Sequence, residues 1–103
     1  MSKLVNSEHW VWVIVQDPGG NEEFLGQKDT EKGVSFIPAF LEKEEAEKGL
    51  AKFSKQEGRK YEVQAIMFED LCHRITGSGF SLFLLDGTGR VLERLDPEHS
   101  GGQ

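Results

Sequence analysis

Gly33-Val-Ser-Phe-Ile-Pro-Ala-Phe-Leu-Glu-Lys-Glu-Glu-Ala-Glu-Lys-Gly-Leu-Ala-Lys-Phe53 decides the fold. The apolar run from Val34 to Ala39 carries a proline near its end, then passes into a charged amphipathic segment. Its β-branched and aromatic residues suit the pleated surface of a strand. Pro38 has no N–H to give a ladder, so it predicts an edge position or the end of the strand. Beyond it Ala46, Gly49, Leu50 and Phe53 share one stripe at helical spacing, predicting a helix over about 43–54. Glu44 and Lys48 suit a weak i,i+4 pair, and acidic residues crowd the first turn, where the helix dipole favours them. Gly49 costs about 1 kcal/mol against alanine in a helix interior. Its place on the apolar stripe therefore predicts a close approach of helix to sheet. A strand delivered into such a helix describes a small sheet with helices packed on it.

Working outward, His9 to Gln16 reads His-Trp-Val-Trp-Val-Ile-Val-Gln. Trp10, Trp12 and Ile14 point one way, and Val11, Val13 and Val15 the other. Such a strand is central and covered on both faces, or its second face meets a partner. Asp17-Pro-Gly-Gly-Asn21 is a turn. Glu22 to Gln27 reads as a shorter strand at the sheet edge, with only Phe24 and Leu25 large and apolar, and 28–33 as a polar loop. Tyr61 to Met67 is a strand with Tyr61, Val63, Ala65 and Met67 facing the core. Phe68, Leu71, Cys72 and Ile75 follow helical spacing over 68–76, and Gly77 suits the position after the helix end. Phe80 to Leu85 is a buried strand. Asp86-Gly-Thr-Gly89 is a hairpin signal, and Arg90 to Leu95 returns as a strand. The order β-β-β-α-β-α-β-β predicts an α+β fold: a mixed or antiparallel sheet of five to six strands with two helices packed on one face. Residues 9–95 form a single domain, after a polar lead-in over 1–8 and before a disordered tail over 96–103.

Composition narrows the function classes. At 103 residues with seven Phe and two Trp, the chain can bury a core without disulfides or metal. The net charge of −6, with Lys and Arg scattered among Asp and Glu, disfavours nucleic acid and anionic membrane as partners. The single cysteine, Cys72, excludes an intramolecular disulfide. With no secretory signal at the N-terminus and no run of about 20 apolar residues, the expected location is cytoplasmic.

Few residues suggest chemistry. Cys72 and His73 are adjacent, but neighbours on a helix point about 100° apart, and Cys72 falls on the apolar stripe. His9, His73 and His99 lack metal-ligand spacing, so no metal and no cofactor is expected. Lysines interleave Glu42, Glu44, Glu45 and Glu47, as on a solvated helix face. A phosphate-cradling loop needs its glycines before a helix, whereas a strand follows Asp86-Gly87-Thr88-Gly89. Trp10 and Trp12 either pack under a helix or form a partner surface, since aromatics are hot-spot residues.

The run Val34 to Phe40, followed by Glu44-Glu45-Ala46 entering a helix, resembles the N-terminal domain of SseB-like (enhanced serine sensitivity) bacterial proteins. Pro38, Phe40, Glu45 and Ala46 carry the resemblance at residue level. It implies an α+β fold and a non-catalytic role, and carries no catalytic residue with it.

Three functions follow as expectations. The first is a non-enzymatic module that self-associates or binds another protein, with Trp10, Trp12, Phe36 and Pro38 as its candidate surface. The second is a small-molecule-binding regulatory domain with a pocket lined by Trp12, Phe36, Phe53 or Phe68. The third is an enzyme whose fold assembles His9, Cys72 or Asp86.

Overall fold

The computed structural model describes residues 2–53 and 55–96. Its elements are β1 (Trp10–Gln16), β2 (Glu23–Phe24), β3 (Gln27–Asp29), β4 (Val34–Phe40), α1 (Lys43–Leu50), β5 (Tyr61–Met67), α2 (Phe68–Ile75), β6 (Ser81–Leu85) and β7 (Val91–Leu95). The fold is α+β, with one mixed sheet of seven strands.

The two-faced strand β1 takes the interior position its pattern demands. Along one side it pairs antiparallel with β5, from Trp10 opposite Met67 to Gln16 opposite Tyr61. Along the other it meets β4 at Trp12 and Val13, and β2 at Val15 and Gln16. β4 continues parallel to β6, and β7 closes that side antiparallel to β6. The order is therefore β5-β1-β4-β6-β7, with β2 and β3 wedged where β1 and β4 diverge.

That wedge is why the sheet has seven strands rather than five to six. The expected edge strand over 22–27 breaks at Gly26, and its second half turns away to pair with β4, Gln27 opposite Phe36. Leu25 anchors the break by donating its N–H to the Ile14 carbonyl at 2.8 Å and burying its side chain. A Cβ at Gly26 would lie 2.8 Å from Cε1 of Phe80, so glycine admits the Phe80 ring. Gln27–Asp29 has no apolar residue, and only its backbone pairing makes it a strand.

Pro38 is neither at an edge nor at a strand end. It is fully buried in β4, opposite Phe83 of β6. On its other side the ladder changes hands: β3 pairs up to Phe36, and β1 pairs from Ala39. The missing N–H falls at this changeover.

The two helices lie on opposite faces, not on one. Val11, Val13 and Val15 of β1 share a cluster with Phe68, Leu71 and Ile75 of α2, together with Ile37, Ala39, Leu82 and Leu84. Trp12 and Ile14, pointing the other way, share a second cluster with Ala46 and Leu50 of α1, Phe40, Phe83 and Leu85. The physical reason is that β1, β4 and β6 are apolar on both faces, and each face needs a cover. One helix packs on each side, and α2 covers only part of its face.

α1 ends earlier than its stripe suggests. Lys52 donates to the Gly49 carbonyl at 2.9 Å, closing the helix in a tight turn. Phe53 still packs beside it, tilted against Phe40 with ring centroids 6.3 Å apart. Glu45 fastens the helix to the β6–β7 turn by accepting the Gly87 N–H at 2.9 Å.

α2 is capped by backbone rather than side chains. Phe68 donates its N–H to the His9 carbonyl, and Glu69 to that of Ser7. The segment expected as a polar lead-in thus carries structural contacts. It buries Val5 in the α2-side cluster, while the Ser2 hydroxyl and Lys3 N–H donate to Glu93 of β7 at 2.6 and 2.7 Å. Of the expected tail, residues 97–103 lie outside the described residues.

Candidate interaction surface

Strand parity places Trp10, Trp12, Phe36 and Pro38 on the α1 side of the sheet, but the fold uses three of them internally. Trp12 is half-buried beneath α1, with Lys43 Nζ 5.8 Å from its ring centroid. Phe36 stacks on Phe83, centroids 4.3 Å apart and planes 11° from parallel. Pro38 is fully buried and belongs to the interior of the sheet, whereas Phe36 is half-buried against Phe83. Trp10 alone stays open, at 59% exposure. Beside it on β5 are its register partner Met67, half-buried, and Ala65, exposed on the same face.

This corner continues into a feature the residue pattern concealed. Among the described residues β5 pairs with β1 alone, leaving the outer edge of a seven-residue strand without a neighbour. Natural edges are usually blunted by charge, proline, bulges or a covering segment. β5 reads Tyr-Glu-Val-Gln-Ala-Ile-Met, with Glu62 its only charge and no proline. β7, at the opposite edge, carries Glu93 and Arg94, and its pairing shifts register between Leu84 and Leu85. The N-terminal segment is tied to it through Glu93. Among the described residues the two outermost long strands therefore differ, β7 guarded and β5 open. The clue in the sequence was the sparse charge of 61–67, but which strand ends a sheet depends on long-range pairing.

A second concavity lies on the α2 face. α2 has eight residues and spans about 12 Å, too short to cover that side of the sheet. A groove of about 950 Å³ remains, with Val13, Val15, Ile37 and Ile66 in its floor and Phe24 and Phe80 along it. The Arg74 guanidinium lies 6.0 Å from the Phe24 ring centroid at its rim. Trp12, Phe36, Phe53 and Phe68, expected to line a pocket, take no part in it.

The residues weighed for catalysis are each occupied locally. His9 Nδ1 accepts the Asn6 N–H at 3.0 Å. Asp86 Oδ1 accepts from the Thr88 hydroxyl, the Thr88 N–H and the Arg90 N–H. The Thr88 hydroxyl leads in holding that carboxyl below its ordinary value, which organises the turn. Burial pushes the Cys72 thiol up, opposite to the shift that activates a nucleophile. No hydrogen bond among the described residues joins any two of the three side chains. No group of three or more His, Cys, Asp or Glu among them could hold a metal ion, and no described helix is long and apolar enough to cross a membrane. His99 lies outside the described residues.

Comparison with models of known families, with curated proteins and with solved structures finds no match for this chain.

Proposed function

We propose that the chain is a small non-enzymatic module that works by association, a further strand adding to the β5 edge with Trp10 packing beside it. The open edge is the observation that carries this reading. Strand addition draws affinity from main-chain hydrogen bonds, with nearby side chains setting specificity. Trp10 supplies the aromatic anchor that such contacts favour. A non-catalytic role of the kind implied by the SseB-like resemblance, and a cytoplasmic setting for it, belong to the same proposal. Both agree with the lone cysteine and with Pro38, Phe40, Glu45 and Ala46 serving the fold.

Ala65→Lys puts a charge on the open strand, and Trp10→Ala removes the anchor. Both side chains are exposed, so the native fold should persist. Affinity capture from native lysate, read by mass spectrometry, should retain a bound protein with the wild-type chain and lose it with both variants. Equal capture by all three would overturn the reading.

The groove beside α2 favours a second reading, a regulatory domain for a small ligand. Its floor is apolar and its walls carry charged groups of both signs, among them Arg74, Lys28 and Glu23, which would fix the orientation of a ligand. A ligand at a hundred times its Kd stabilises the native state by about 2.7 kcal/mol. A thermal-shift screen should then find a compound whose effect disappears on filling the groove with Ile66→Trp. A shift unchanged by that substitution would count against the groove.

A further inference from the structure

We infer that the partner strand is β5 of a second copy, paired antiparallel about a two-fold axis through Gln64. This rests on the reading that β5 is the associating edge, and it adds the occupant and the register.

A two-fold axis perpendicular to the sheet keeps each face on its own side, so residues directly opposite must share strand parity. The axis must then pass through a residue. Centred on Gln64, all seven residues of β5 find a partner. Tyr61 faces Met67 of the second copy and Val63 faces Ala65, giving an apolar α1-side row. On the other side Glu62 faces Ile66, and Gln64 faces itself. Centring on Val63 or Ala65 leaves two residues at one end of each strand unpaired within the element. Centring on Glu62 sets like charges directly opposite, which is destabilising.

Charges flanking the strand favour an antiparallel second copy and agree with this register. Lys60 immediately precedes β5, and Glu69 and Asp70 follow it in the first turn of α2. All three are exposed, and none has an ion pair among the described residues. Antiparallel pairing about Gln64 brings Lys60 of each copy opposite Phe68 of the other, next to Glu69. Each interface thus gains two complementary ends. Trp10 lies beside Met67, one strand in from Tyr61 of the second copy. At about 4.8 Å per strand, the Cα atoms of Trp10 and that tyrosine are about 10 Å apart, within reach of an indole.

The contact is a single strand pair about 23 Å long with a tryptophan at each end. That is smaller than the roughly 800 Å² per partner of a standard stable interface. The dimer is accordingly weak, and it forms and dissolves with concentration.

The test is disulfide trapping in the full chain with Cys72→Ser. Residues facing each other in an antiparallel pair have Cα atoms about 4.5–5.5 Å apart, within disulfide range. Gln64→Cys should therefore oxidise to a covalent dimer at least about tenfold faster than Glu62→Cys, whose counterpart is displaced by about 14 Å along the strand. Sedimentation equilibrium should show reversible dimerisation of the wild type, weakened about fivefold by Gln64→Glu. Equal trapping at both positions would overturn the register. A wild-type chain that stays monomeric at millimolar concentration would overturn the second copy as occupant. If β5-dependent capture of another protein persisted in that case, the edge reading would stand, and its loss as well would remove both.

Discussion

A methyl group at Gly49 would sit 2.5 Å from Cζ of Phe40, a ring with no exposed surface. Helix propensity alone makes Gly49→Ala favourable by about 1 kcal/mol. Overpacking a closed core costs about 1–3 kcal/mol, and here the packing cost wins. We expect a net loss of stability in urea denaturation, and recovery when Phe40→Leu is added, because the two sites share one contact. Glu93 gives a second prediction at this scale. Burial pushes its carboxyl up, but hydrogen bonds led by the Ser2 hydroxyl outweigh it, leaving the carboxyl below its ordinary value. A depressed folded value stabilises above the ordinary glutamate range and is lost as pH falls through the folded value. Acid titration followed by NMR should release the Lys3 amide in that low-pH window. Glu93→Gln should remove the step. Gly49 shows how much the sequence carried: a costly glycine on an apolar stripe signalled a close approach, and only the identity of the Phe40 ring was hidden. Glu93 was illegible, because its partners lie about ninety positions away.

At the scale of elements, β1, β4, β5, β6, β7 and both helices followed from periodicity. Their arrangement did not. The alternation of β1 announced two buried faces, yet it cannot say which helix covers which face, since that depends on the path of the connections. β3 was unreadable for another reason: Gln27-Lys28-Asp29 has no apolar residue and is held by backbone pairing with β4. The N-terminal segment hid a core contribution in a single residue. Val5 is buried against α2, and its neighbours cap that helix through backbone carbonyls. Val5→Ala should cost about 2 kcal/mol, combining lost methyl burial with a residual cavity. Hydrogen exchange should locate the loss at the start of α2, whereas α1 on the opposite face keeps its relative protection.

For the whole molecule, the asymmetry between β5 and β7 carries the proposed function. β7 is marked by charge, a register shift and contacts from the N-terminal segment, while β5 has a single charge and an exposed tryptophan beside it. Of the four residues expected at a surface, only the exposure of Trp10 is plain in the structure. Trp10 and Trp12 were readable as a pair, and Trp10 is the exposed member. Pro38 was misplaced, because a proline that signals an edge in isolation can sit at a changeover between two ladder partners. The most direct measurement is amide hydrogen exchange along β5 as a function of protein concentration. The outward amides of Tyr61–Met67 should exchange freely in dilute solution and become protected as the chain associates, with β7 unchanged. Protection of β5 already complete in the dilute monomer, or fast exchange at every concentration, would contradict it.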